Sequence, residues 1–204
     1  MSINPTEFPV IESIQKRWSP YRFDASPIDD SKILCCLEAA RWAASSFNDQ
    51  PWSWILAKRQ DTEAFKKMVG CLLEANQGWA AKASVIMVSV IRTTFQYNGK
   101  PNRVALHDLG QASAHLALQA TELGLQVHQM AGLNLSATRL AYNIPEGYQP
   151  ETAIAIGNPD TSEPASEAEV ELQKRELGPR KRRSLAEQVF EGTWSVKASF
   201  VPPS

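Results

Sequence analysis

Cysteine is scarce, with three residues in 204: Cys35, Cys36 and Cys71. Adjacent cysteines rarely bridge each other and no CxxC occurs, which argues against a disulfide framework and excludes a four-thiolate metal site. The apolar neighbours Leu34 and Leu37 predict that Cys35 and Cys36 are buried thiols of a reducing compartment, and so a cytoplasmic chain. Histidine is as sparse. His107, His115 and His128 lack HExxH spacing, and although His107 and His115 can share one side of a helix, a zinc site needs a third ligand that the sequence does not offer. No metal is expected. A GxGxxG after a strand, a GxxxxGK[ST] loop and a GxSxG elbow are all missing, so neither dinucleotide nor P-loop phosphate binding is announced, and a hydrolase is poorly supported. The most apolar stretch, residues 83–91, is far too short to cross a bilayer, and the first 18 residues lack the basic-then-apolar order of a leader. The 21 basic and 22 acidic residues nearly cancel, and no long-range field selects nucleic acid or anionic lipid as a partner.

What is present suits a single domain over residues 1–204, because 22.6 kDa is enough to bury a full core. Val10, Ile11, Ile14 and Trp18 predict a short helix over 8–18; Ile33, Leu34, Leu37, Ala40 and Ala44 predict another over 29–44, capped by Asp29 or Asp30. Residues 52–58 read as a strand. Asp61 can cap a helix carrying Phe65, Met68, Val69, Leu72 and Leu73 to about residue 75. Residues 83–91, β-branched and nearly all apolar, read as an interior strand. A polar loop over 92–104 turns at Asn98-Gly99, a helix over 105–123 follows with Gly124 to close it, and 125–129 is extended. Ser136 opens a brief helix, and 152–156 is a strand. Helices alternating with a few irregularly spaced strands predict a layered α+β or α/β fold. Residues 160–171 are acidic and 174–183 basic, and apolar residues return in the tail at Val189, Phe190, Trp194, Val196 and Phe200.

The polar residues that remain suit a flat, phosphorylated aromatic cofactor. Lys16-Arg17 and the run 180–183 offer charge to a phosphate, and Ser45-Ser46-Phe47-Asn48 combines hydroxyls with an amide that can read ring nitrogens and oxygens. Taken alone, each basic cluster reads as solvated surface charge.

The run Arg17-Trp18-Ser19-Pro20-Tyr21-Arg22-Phe23, followed by residues 39–52 with their Ser45-Ser46-Phe47-Asn48-Asp49-Gln50-Pro51-Trp52, resembles the opening of the flavin-dependent nitroreductase family. The likeness continues through 73–76, 107–112, 122–126, Gly132, 142–148, the 153–157 strand and the basic residues 180–183, and spans about residues 11–190. It implies a nitroreductase-like sandwich, a central, mostly antiparallel sheet covered by helices. It further implies an obligate homodimer with one FMN in each of two pockets built from both subunits, and a C-terminal arm, about 188–204, exchanged between them. Hydride would pass from NADH or NADPH through the flavin to nitroaromatics, quinones or related small acceptors, in a ping-pong cycle.

Carried over residue by residue, Arg17 and Ser19 resemble phosphate and ribityl contacts, and Trp18 offers its backbone. Ser45, Ser46 and Asn48 match the loop beside the flavin, with Gln50 at its polar end. Asn76 matches a flavin-edge amide, and Ala131-Gly132 the backbone facing the isoalloxazine. Arg180 and Arg182 resemble a second phosphate pair, and Lys181 with Arg183 fits as well. No protein group is expected to be catalytic in its own right, since a flavin carries hydride chemistry itself. A flavin-binding protein without reductase turnover is the alternative. Ala44 stands where the family commonly has proline, and 92–104 replaces a longer excursion that often shapes the acceptor pocket.

Overall fold

Val85–Arg92 forms strand β2, and every residue in it except Arg92 is buried. In the computed structural model, which describes residues 4–202, this strand is the spine of one four-stranded sheet. Its neighbours are β1 (Trp52–Lys58) and β4 (Tyr148–Gly157), and β3 (Gln126–Met130) lies beyond β4, giving the order β1-β2-β4-β3. All three pairings are antiparallel. The pleat sorts the side chains by parity. Val85 and Met87, with Ile154 and Ile156, face α2 (Asp30–Arg41) and α5 (Ala105–Glu122). Ile86, Val88 and Val90, with Ala153 and Ala155, face α3 (Thr62–Gly70) and α4 (Glu74–Ala80). The result is the layered α+β sandwich with a central antiparallel sheet that the sequence and the resemblance predict. A register shift between Ser89 and Val90 marks a bulge, across which Ser89 Oγ lies 2.8 Å from Thr152 Oγ1.

Several local expectations need correction. The first helix, α1, is only Glu12–Lys16, with no buried residue; Trp18 is buried beyond its end. The single helix predicted over 61–75 is two, α3 and α4. Asp61 does cap the first, accepting from Ala64 N, but Leu72 then pairs with Leu133 as an isolated β-bridge and Leu73 N donates to the Gly132 carbonyl. A tertiary backbone contact overrides the helical periodicity there. The helix α6 (Leu135–Ala141) is capped by Asn134, not Ser136. Cys35 is exposed while Cys36 is buried, because consecutive helical residues point about 100° apart and only one can face the core. The charged stretch 160–177 contains a helix, α7 (Glu167–Leu177), that the sequence reading left without structure. Beyond it the tail folds back on itself: Phe190 pairs with Lys197, its ring stacks on Trp194 at 4.7 Å, and Glu191 accepts from Ser199 N and Oγ. Trp194 and Phe200 remain 81% and 75% exposed. Residues 203 and 204 of the predicted arm, like residues 1–3, lie outside the described residues.

Candidate functional site

Three groups of predicted site residues are assembled by this frame. The first lies on the turn after α1. Trp18 N donates to Gln126 Oε1 of β3 at 3.1 Å, which fixes the turn beside the sheet, and Arg17 Nη1 lies 3.4 Å from Ser19 Oγ. Arg180 stands over the Trp18 ring at 5.9 Å and donates to Asn4 Oδ1 at 2.5 Å; Asn4 in turn donates to the Ile14 and Arg17 carbonyls. Burial lowers the proton affinity of the Arg17 guanidinium, and the positive charges of Arg182 and Arg180 lower it further. Arg180 is shifted the same way, by burial and then by Arg182. Arginine stays charged regardless, so three like charges crowd one spot. Arg180 and Arg182, rather than Lys181 and Arg183, are the two that crowd Arg17. Beside them runs a groove of about 370 Å³ lined by Arg17, Ser19, Ala114, Ala117, Val127 and Gln129, among others.

The second group is the loop over 45–50. Phe47, Asn48 and Gln50 all have positive φ, at 55°, 53° and 47°. Such backbone costs of order 1–3 kcal/mol per residue and persists only where its surroundings over-determine it. Here they do. Ser46 N donates to Asp108 Oδ2 of α5, and Gln50 N to Ser45 Oγ. The Asp49 side chain, 2% exposed, accepts from Arg92 Nη2 at 2.9 Å and from Gln96 N at 2.8 Å. With the loop pinned, Asn48 and Gln50 stay at the surface, and the Phe47 ring, 77% exposed, meets Phe95 and Tyr97 at 5.8 and 5.3 Å.

In the third group, Asn76 Nδ2 donates to the Gly132 carbonyl at 3.3 Å. A Cβ at position 132 would fall 2.1 Å from that nitrogen, so only glycine lets the amide lie along this backbone. The break between α3 and α4 is what brings Asn76 here. Ala131, next in the chain, is exposed.

The sequence reading missed the groups that hold these residues. Asp108 and Arg92 anchor the loop, Gln126 and His128 fix the turn, and Arg175 and Glu176 of α7 reach it from the other side. His128 Nδ1 is 2.7 Å from the Pro20 carbonyl, and its ring packs on Trp79 and Tyr21. Asp49 lay inside the quoted motif, but its burial could not be read there. Asp108 and Gln126 lay in the quoted stretches too, without a role; for Arg92, His128, Arg175 and Glu176 no local signal exists.

Burial, with a smaller contribution from the Arg175 charge, holds the His128 imidazole below its ordinary proton affinity, against the opposing pull of the Pro20 hydrogen bond. The unfolded chain, with a histidine near pKa 6.5, therefore binds a proton that the folded chain resists. The stabilising contribution is full above about pH 6.5 and is lost as pH falls through the depressed folded value. Desolvation shifts up the buried carboxyl of Glu176 and the partly buried one of Glu151, and both act with the opposite sign. Comparison with His128→Gln isolates the imidazole: melting temperatures at pH 7.5 and 5.5 should differ more in the parent chain than in the variant. Equal differences would remove His128 from the account.

Comparison with known proteins agrees with this geometry. The family model for the nitroreductase family matches residues 14–158. A solved structure described as an oxidoreductase containing FMN is 35% identical, with a TM-score of 0.85 over 95% of this chain and 97% of that one. A nitroreductase family protein from Clostridium difficile shares the fold at 23% identity, with a TM-score of 0.68 over 91% and 99% of the two chains. An uncharacterized 15.4 kDa protein of Mycolicibacterium smegmatis is 30% identical over 132 residues, 65% of this chain and 85% of its own length. Among the described residues no helix is long and apolar enough to cross a membrane, and no cluster of ligating side chains could hold a metal ion.

Proposed function

Because the chain belongs to the nitroreductase family, we propose that it is an FMN-dependent oxidoreductase that takes hydride from NADH or NADPH and reduces nitroaromatic, quinone or related small acceptors. The observation that carries the reading is the cluster of Arg17, Arg180 and Arg182 around Ser19. Arg17 lies beside Ser19 Oγ and Arg180 stands over the adjoining Trp18 ring, with the positive charges of Arg182 and Arg180 bearing on Arg17, and a phosphate beside a hydroxyl donor answers both the charge and the hydrogen bonding. The 35% identical oxidoreductase containing FMN supports the same cofactor.

FMN, when bound, supplies the hydride acceptor and donor. The chain's own residues bind and orient. Arg17, Arg180, Arg182 and Ser19 hold the phosphate end, with Trp18 backbone beside them. Asn76, fixed on Gly132, and the Ala131-Gly132 backbone present donors and acceptors to a ring edge. Ser45, Ser46, Asn48 and Gln50 lie on a loop already fixed in shape by Asp49 and Asp108, so little ordering is required on binding. The same reading, on the family resemblance, makes the chain a homodimer with each pocket built from both subunits. A cytoplasmic location accords with the free thiols.

The test is anaerobic titration of the purified yellow protein with NADH and NADPH. Stoichiometric bleaching, followed by return of colour on adding a quinone, is the expected result. A protein that keeps its colour with both donors is a flavin carrier without turnover, and a colourless protein that takes up no added FMN overturns the reading altogether.

A further inference from the structure

The helix α7 is poorly equipped to pack. Its one buried residue is Glu176, 7% exposed, while Leu177 at its end is 64% exposed. Burying a carboxylate is costly unless it is hydrogen-bonded, and Glu176 is: its Oε1 accepts from both Tyr21 N and Arg22 N, the backbone directly after Ser19. Its neighbour Arg175 lies over the Tyr21 ring at 4.3 Å and donates to the Tyr21 hydroxyl at 3.0 Å. Only Gly178 and Pro179 separate the helix from Arg180.

We propose that Glu176 and Arg175 are positioning residues for the cofactor phosphate: one helix grips the turn that carries Arg17 and Ser19 and, through its immediate continuation, sets Arg180 and Arg182 against it. The two halves of the guanidinium cluster lie more than 150 residues apart in sequence and repel each other. Something must fix their spacing before an anion arrives, and α7 is the element bonded to the turn and covalently joined to the arginines. The same turn is steadied from β3 by Gln126 and His128, and from the strand end by Arg22, whose buried guanidinium donates to Asp160 at 3.1 Å. Those contacts hold the turn to the sheet; Asn4 bridges Arg180 to the Arg17 carbonyl, and α7 is bonded to the turn and continuous in the chain with both Arg180 and Arg182. This inference rests on the flavin reading above.

The experiment compares dissociation constants for FMN and riboflavin, which differ only in the phosphate, across the parent chain, Glu176→Ala, Glu176→Gln and Arg175→Ala. Glu176→Ala should weaken FMN by about tenfold or more and riboflavin by no more than about twofold, whereas a merely structural role would weaken both alike. Glu176→Gln keeps an acceptor oxygen for the two amides and should restore most of the loss. If Glu176→Ala does not melt cooperatively, Arg175→Ala, which removes an exposed side chain, carries the comparison, with about a threefold selective loss of FMN expected. An unchanged FMN-to-riboflavin ratio in the folded variant overturns the inference while leaving the flavin reading intact. A parent chain that binds neither flavin overturns both.

Discussion

Replacing Asp49 by alanine should lower the stability of the chain by about 3 kcal/mol, more than any exposed ion pair in the molecule contributes. The reason is what stays behind. Arg92, whose side chain is 16% exposed, would keep its charge without a counter-ion, and Gln96 N would lose its acceptor. Removing one partner of a buried pair typically costs about 3–5 kcal/mol, and the partial exposure of Arg92 argues for the lower end. In a chain of this length that corresponds to a fall of roughly 6–12 °C in melting temperature. Asp49→Asn keeps an oxygen for Gln96 and should cost clearly less. Lys58 and Asp30 supply the control, since both are exposed and Asp30→Ala should change stability by about 1 kcal/mol or less. A melting temperature for Asp49→Ala within about 2 °C of the parent would show that the loop does not depend on this carboxylate.

Arg17→Ala should produce two changes of opposite sign. With the flavin absent, one of three crowded positive charges is gone, together with the cost of keeping a half-buried guanidinium ionised, so the apo chain should melt no lower than its parent. With FMN present, a charge-assisted bond of about 1.5–3 kcal/mol is lost, which weakens binding roughly 10- to 150-fold. The rise in melting temperature caused by saturating FMN should shrink accordingly. Riboflavin binding should be little altered. An apo chain that loses stability on Arg17→Ala, with unaltered FMN affinity, would make Arg17 an ordinary structural residue.

Much of the frame is legible in the residues. The strand over 52–58 matches its predicted bounds, and 83–91 announces an interior strand because a sheet covered on both faces needs apolar side chains of both parities. Asp61 can be read as a cap because an acidic residue precedes an amphipathic run. Legibility ends where a long-range contact decides. Leu72 and Leu73 continue a helical stripe by spacing, yet pairing with Leu133 and Gly132 breaks the helix and thereby delivers Asn76 to its partner. The helix α7 escaped notice because its only buried residue is charged, and periodicity detects apolar stripes. At the site, the motif around Ser45 to Trp52 and the N-terminal Arg17 to Ser19 could be named from resemblance. The register within 180–183 could not, since it depends on which side chains come near Arg17 in space.

The position of β4 bears on how the chain is made. It sits between β2 and β3, so during synthesis the apolar strand Val85–Arg92 has only β1 for company until residue 157 has left the ribosome. Until then β2 presents an open edge of unpaired amides, and β3, already synthesised, has no strand to join. A nascent chain stalled before β4 is thus a hydrophobic hairpin inviting wrong partners, whereas one that has passed it can close the whole sheet in one step. The segment bearing Arg180 and Arg182 emerges later still. The proposed phosphate site is therefore finished last, after the core it stands on.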